Sequence, residues 1–209
     1  MVKGLFVTLE GGEGAGKSTL ARSLQADLKA AGYEVIVTRE PGGTPGAEEI
    51  RQLLVEGKTD RWSAMTEALL FYAARNDHVE KAIRPALDRG AIVISDRFAD
   101  STLAYQGAAG GISMDRLRQL HTLVLGEFQP DLTLLIDIPP ELGIDRTQAR
   151  LGLEIRFESK EMEFHRRLRA CYHQLAELAP ERIETLDGTA SPDDVAMAAI
   201  MAVRRRLPE

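Results

Sequence analysis

The sequence predicts an α/β fold with three layers, a parallel β-sheet with helices on both faces and a short lid. Three observations carry this expectation. Short apolar runs alternate with stretches of helical periodicity, the order that builds a parallel sheet covered on both sides. A glycine-rich loop follows the first apolar run and opens the first helix. The length, 209 residues, suits one α/β domain, since domains usually run to roughly 100–200 residues. A single domain over residues 1–209 is therefore expected.

Leu5 to Leu9 is a short apolar run, read as a buried parallel strand and not as a signal peptide. Ser18 to Ala31 reads as a helix, with Leu20, Leu24 and Leu28 at helical spacing and Gly32 as its stop. Val35 to Thr38 is a second strand. It leads into a polar loop broken by Pro41, Gly42, Gly43, Pro45 and Gly46. Two helices are expected over about Ala47–Val55 and about Met65–Leu87, then a third strand over Ala91–Ser95. About Met114–Leu125 is helical, and Leu132–Ile138 is a fourth strand. A helix begins at Glu141, and a charged stretch interrupted by Gly152 follows. Met162–Leu178 is a long helix, Ile183–Leu186 a last short strand, and Ser191-Pro192-Asp193-Asp194 caps a final helix to Arg206. Ligands of such sheets bind at the carboxyl ends of the strands, so the loops after Leu9, Thr38, Ser95 and Ile138 hold the interest.

Composition excludes several roles. The formal net charge is -6 and the pI about 5.4. Nucleic-acid binding needs a basic face, so no nucleic-acid partner is expected. Small phosphates remain open, because a basic pocket can sit in an acidic protein. No apolar run approaches the roughly 20 residues that span a bilayer, so no membrane partner is expected either. The single cysteine, Cys171, fits a reducing cytoplasm. It falls in register with Leu168, Tyr172 and Leu175 and reads as a packing residue.

Gly11-Gly12-Glu13-Gly14-Ala15-Gly16-Lys17-Ser18 matches G-x-x-x-x-G-K-[ST] without a gap, between a strand and a helix. Glycines let successive backbone N–H groups converge on phosphate oxygens, and the helix adds its positive end. Lys17 can reach the β- and γ-phosphates of ATP, and Ser18 can offer its hydroxyl to Mg²⁺. Thr19 is grouped with these residues at the ATP site. The motif marks a nucleoside-triphosphate site of the P-loop NTPase type and does not name the acceptor.

Three further segments do. They are Thr38-Arg39-Glu40-Pro41-Gly42-Gly43-Thr44, Leu70-Phe71-Tyr72-Ala73-Ala74-Arg75, and Asp96-Arg97-Phe98 with Ser101-Thr102-Leu103-Ala104-Tyr105-Gln106-Gly107. Taken in this order after the phosphate loop, they resemble bacterial thymidylate kinases over nearly the whole chain. Each also has a local reading. Phe71 and Arg75 share a helix face. The ring can stack on a pyrimidine and the guanidinium can donate to a base carbonyl, but periodicity alone also serves Phe71 as a core residue with Leu69, Leu70 and Tyr72. Asp96 and Arg97 emerge at the end of a strand. They could form a surface ion pair, or they could hold Mg²⁺ through water and grip an acceptor phosphate. Glu40 could be a solvated carboxylate.

The resemblance implies specific roles. Phe71 stacks on thymine and Arg75 bonds its O4. Arg97 holds the dTMP phosphate, with Asp96 near the metal and the nucleophile. Glu40 lies near the 3′-hydroxyl and the acceptor phosphate, and Arg51 sits above the pocket. Thr102 and Gln106 contact the base, and Tyr105 crowds the sugar's 2′ position. It further implies phosphorylation of dTMP to dTDP with Mg-ATP, a homodimer, and a lid at about 146–158. Arg146 and Arg150 are four apart there and share a helix face. One subtype of the family carries an arginine inside the phosphate loop, where this chain has Gly14. The chain resembles the other subtype, which draws the arginine from the lid. Arg150 is assigned that role, with Arg146 and Arg156 at the ATP site, and Arg156 and Glu158 resemble the lid's closing segment, which orders when ATP binds. Gln148 stands where related lids often carry a basic residue.

Other classes fit less well. Another small-molecule P-loop kinase would share the loop but not the set Phe71, Arg75, Tyr105 and Gln106. A regulatory GTPase needs a guanine-reading N-K-x-D segment. The nearest string, Gly57-Lys58-Thr59-Asp60, lacks the Asn and comes too early. A motor or transporter ATPase subunit would usually be larger.

Overall fold

A computed structural model describes residues 4–57, 61–148 and 161–207. Among them five strands form one sheet: β1 (Leu5–Glu10), β2 (Val35–Arg39), β3 (Ile92–Asp96), β4 (Leu132–Asp137) and β5 (Ile183–Asp187). The order is β2-β3-β1-β4-β5 and every neighbouring pair is parallel. Asp96 of β3 lies level with Leu9 of β1 and Arg39 of β2. The three loops that follow these strands therefore leave the sheet at one height.

Side chains alternate across a strand, and β1 uses this to serve two layers. Leu5, Val7 and Leu9 pack with Leu20, Leu24 and Leu28 of α1 (Lys17–Ala30) and with Ala199, Ala202 and Val203 of α9 (Pro192–Arg204). Phe6 points the other way, into a cluster with Tyr72, Ile83 and Leu125. These come from α3 (Ala64–His78), the turn after it, and α6 (Met114–Leu125). By the same alternation Glu10 falls on the Phe6 face, at the carboxyl end. A third cluster joins Leu135 of β4 to Leu168, Cys171 and Tyr172 of α8 (Met162–Leu178). Cys171 is buried there as expected, and burial pushes its thiol up to about 11.

The strands run one residue further than expected at their carboxyl ends, except β4, which stops at Asp137. The stretch expected as one helix over Met65–Leu87 is helical to Asp88 but not uniform. Between α3 and α4 (Arg84–Asp88) lies a wider π turn, Val79–Ile83. Pro85 follows it, a residue without the N–H that a regular helix would donate one turn back. Two further elements were not expected: α5 (Ala99–Thr102) and a π segment, Leu103–Ala109. Thr44 caps α2 (Pro45–Val55) by accepting from Ala47 N, and Ser191 caps α9 by accepting from Asp194 N. The last helix ends at Arg204, two residues before the expected Arg206. Among the described residues no helix is long and apolar enough to cross a membrane.

Candidate active site

The phosphate loop closes over its own lysine. Gly11, Gly14 and Gly16 hold positive φ angles of 138°, 68° and 96°, a region that glycine enters without steric cost. Lys17 Nζ donates to Gly12 O at 2.8 Å and Gly11 O at 3.1 Å. Burial pushes this ammonium down to about 8, and the nearby Arg97 charge adds to the fall. Ala15 is buried in the core below, while Ser18 is exposed at the loop's mouth. Ser18 Oγ donates to Asp96 Oδ2 at 3.1 Å. Thr19 sits in the first turn of α1, its backbone N donating to Gly16 O.

Gly14 has a close neighbour. A Cβ built there would lie 2.1 Å from Gly143 O, and a Cβ on Gly143 would lie 2.3 Å from Glu13 O. The backbone of α7 (Pro140–Gln148) therefore rests directly on the phosphate loop. Arg146 in α7 donates from Nη1 to Gly188 O at 3.3 Å, tying the helix to the loop after β5. Arg150, Arg156 and Glu158 lie outside the described residues.

Beside the loop is a cavity of about 260 Å³. Lys17, Asp96 and Arg97 line it, and so do Glu40, Arg51, Phe71, Arg75, Thr102, Tyr105 and Gln106. All eight residues expected to hold the acceptor are thus brought together. Phe71 lies on the cavity wall, whereas its neighbour Tyr72 is the one that enters the core. The core alternative for Phe71 does not hold.

Arg75 is 1% exposed and fixed by partners from two segments, the loop after β2 and the stretch Phe98–Thr102. Nε donates to Glu40 Oε2 at 2.6 Å, Nη1 to Thr102 Oγ1 at 3.2 Å and Nη2 to Phe98 O at 3.0 Å. Guanidinium carries five donors, so two N–H groups are left by these bonds. Glu40 is 5% exposed, which overturns the solvated reading. Its other oxygen meets His78 Nδ1 at 3.2 Å, and His78 Nε2 meets Thr38 Oγ1 at 2.8 Å. Arg51 Nη1 donates to Pro41 O at 2.6 Å, holding the loop after β2.

Arg97 has φ 74°, the one non-glycine with positive φ among the described residues. Such a conformation costs on the order of 1–3 kcal/mol and persists only where its surroundings impose it. Here they do. Arg97 N donates to Leu9 O at 2.9 Å and Ser95 Oγ donates to Arg97 O at 2.8 Å. Glu10 captures the next turn, accepting from Phe98 N at 2.8 Å and from Ser101 Oγ at 2.6 Å. Tyr172 also donates to it, at 2.9 Å. Burial, then the Asp100 charge, raise the Glu10 carboxyl to about 7. The Arg97 guanidinium sits 4.9 Å over the Tyr105 ring.

Tyr105 donates to Glu13 Oε1 at 2.6 Å. Burial raises its phenol well above the usual range, so it keeps the proton it donates. Glu13 moves the opposite way. Burial alone would raise it, but His165, Arg97 and Tyr105 together bring its carboxyl down to about 2. His165 Nδ1 lies 3.5 Å from Glu13 Oε2, and its buried Nε2 has no hydrogen-bond partner among the described residues.

A family model described as thymidylate kinase matches residues 9–199. The chain belongs to the thymidylate kinase family. A thymidylate kinase of Caulobacter vibrioides is 55% identical over 207 residues, covering 99% of each chain. One of Ruegeria pomeroyi is 53% identical over 92% of this chain and 91% of its own. The crystal structure of thymidylate kinase from Ehrlichia chaffeensis superposes with a TM-score of 0.79 at 32% identity, covering 96% of this chain and 99% of that one. The parallel α/β fold and the phosphate loop are thus those of the thymidylate kinase family.

Several residues around the site were not singled out from sequence. Glu10 carried a readable sign, a lone carboxylate closing an otherwise apolar strand. His165 and Tyr172 share one face of α8 with Leu168, seven residues apart, and looked like ordinary core positions. His78 and Glu67 gave no signal, because their partners lie on segments distant in sequence.

Proposed function

We propose that the cavity is the dTMP site and that the residues lining it perform the transfer. The enzyme phosphorylates dTMP to dTDP with the γ-phosphate of ATP, in deoxythymidine nucleotide biosynthesis. One observation carries the assignment of the site. A single cavity is lined both by the phosphate-handling Lys17, Asp96 and Arg97 and by the base-sized set Phe71, Arg75 and Gln106.

In this reading Gly11 to Thr19 bind the ATP phosphates, with Lys17 on the β- and γ-phosphates. Arg97 orients a dTMP phosphate oxygen as nucleophile. Phe71 stacks on the base, and Arg75 donates to O4 from the N–H groups that Glu40, Thr102 and Phe98 leave. Glu40 and Arg51 border the sugar and acceptor phosphate, and Tyr105 disfavours a 2′-hydroxyl by crowding. Arg150 stabilises the transferring group from the lid at about 146–158, with Arg146 and Arg156 on the ATP side. Transfer is direct and in line, since a positioned phosphate oxygen needs no covalent intermediate.

The Ser18 hydroxyl and Asp96 carboxylate, 3.1 Å apart, are hard oxygen donors that suit Mg²⁺. Among the described residues no cluster of three or more His, Cys, Asp or Glu could hold a metal. Mg²⁺ bound there would offset the phosphate charge. A single kinase domain over residues 1–209, a cytoplasmic setting and a homodimer complete the proposal. The dimer is supported by exposed Leu53, Leu69 and Leu123 on α2, α3 and α6, helices that pack side by side.

A coupled ADP-release assay with ATP and a panel of monophosphates tests the reading. dTMP is expected to turn over fastest. Faster turnover of AMP, CMP or GMP would overturn it.

A further inference from the structure

Gln106 lines the cavity beside Arg75 and Thr102, and its amide can present either a donor or an acceptor. Which one faces the ligand is settled by what holds the other end. In this structure Gln106 Nε2 donates to Glu67 Oε2 at 3.2 Å, with both side chains buried. Glu67 lies in the first turn of α3, the helix end that favours a negative charge. An ionised carboxylate only accepts, and two acceptors cannot share a hydrogen bond. The amide nitrogen must therefore turn to Glu67, which leaves the amide oxygen for the cavity.

We propose that Glu67 is a specificity-determining positioning residue. It fixes the Gln106 amide with its oxygen toward the ligand, so that the site accepts a pyrimidine with a donor at N3 and rejects one with an acceptor there. The proposal rests on the reading of the cavity as the dTMP site. Thymine carries an N–H at N3 and a carbonyl at position 4, matching an amide oxygen beside an arginine. 5-Methylcytosine has the same shape but an acceptor at N3 and an amino group at position 4. Its N3 would face the Gln106 oxygen, leaving two buried acceptors without a proton between them. A site built for one hydrogen-bond pattern discriminates strongly against the opposite one, because the mismatched polar groups stay unpaired.

Glu67→Gln tests this. A neutral amide at position 67 can donate or accept, so Gln106 is free to turn over. Relative kcat/KM for dTMP against 5-methyl-dCMP is measured in wild type and variant, with dUMP as the control that keeps both N3–H and O4. The dTMP preference over 5-methyl-dCMP is expected to fall at least about tenfold, while the dTMP-to-dUMP ratio stays as in wild type. Part of the preference remains, because Arg75 still opposes the 4-amino group. Gln106→Leu should lose the same discrimination, and Glu67→Gln should add nothing on that background. An unchanged dTMP to 5-methyl-dCMP ratio in folded Glu67→Gln overturns the inference. Should that variant not fold, full discrimination in Gln106→Leu overturns it instead. A wild-type enzyme that does not phosphorylate dTMP would sink the function itself, a result distinct from an active enzyme whose ratio does not move.

Discussion

Lys17 shows how a single residue stores its readiness for a ligand. Its ammonium is held by carbonyls of Gly11 and Gly12, and burial brings it down to about 8. The phosphates of ATP favour the charged form, so binding must raise this value. The sign follows: at a pH above about 8 the free protein has partly lost the proton, and ATP binding takes it back. Calorimetry at about pH 9 in buffers of different ionisation enthalpy should report net proton uptake, shrinking toward zero by about pH 7. No uptake at the higher pH would mean that Lys17 is already fully charged in the free protein. The place of Lys17 in a phosphate loop was legible because the loop motif is local. The setting of Arg75 was not. Its partners stand 35, 27 and 23 residues away, and only the fold brings them to one guanidinium. Resemblance pointed to Arg75 as a base contact, but the clamp by Glu40 could not be read from spacing.

At the scale of elements, the contact between the phosphate loop and α7 matters most. Gly143→Ala would gain roughly 1 kcal/mol of helix propensity. It would also place a methyl 2.3 Å from Glu13 O, and overpacking against an unyielding neighbour costs about 1–3 kcal/mol. The clash should win. A lower thermal midpoint and a raised KM for ATP are expected, with KM for dTMP less affected. An unchanged midpoint and KM would show that α7 can lift off freely. The lid proposed at about 146–158 carries a second expectation. Arg150→Ala should lower kcat at least about a hundredfold, since an arginine on the transferring group is worth on the order of 10³–10⁵. KM for dTMP should change little, whereas Arg97→Ala should weaken both. Near-normal kcat in Arg150→Ala, with collapse in Arg146→Ala or Arg156→Ala, would move the role to another lid arginine. The long amphipathic helices were legible from their periodicity. The segment Ala99–Ala109 was not, because nearly all of it is buried and its pattern has no polar face to betray a helix. Its shape is imposed by Glu10 below it and by α8 beside it.

Among the described residues, one group of packed helices carries exposed leucines, and further apolar side chains stand exposed at Leu178 of α8 and at Met197 and Met201 of α9. Leu123 of α6 is 82% exposed and Leu69 of α3 is 51% exposed, and α3 packs on both α2 and α6. The proposed homodimer would cover these side chains, which otherwise stand in water on a chain with a formal charge of -6. Leu69→Glu with Leu123→Glu should shift sedimentation equilibrium from dimer to monomer at micromolar protein. A dimer that persists would place the interface elsewhere. Fold class was legible from element order alone, since strand-helix alternation leaves few topologies. Assembly was not, because a leucine facing solvent and one facing a partner look the same in a sequence. The paired glycines at 14 and 143 also bear on descent. An arginine at position 14 is not open to a one-step mutational path from this sequence. Any side chain at position 14 meets the Gly143 carbonyl at 2.1 Å, so a loop arginine would first require α7 to retreat. A lineage acquiring such an arginine would have to repack α7 before the charge could arrive, so sterics set the order of the substitutions.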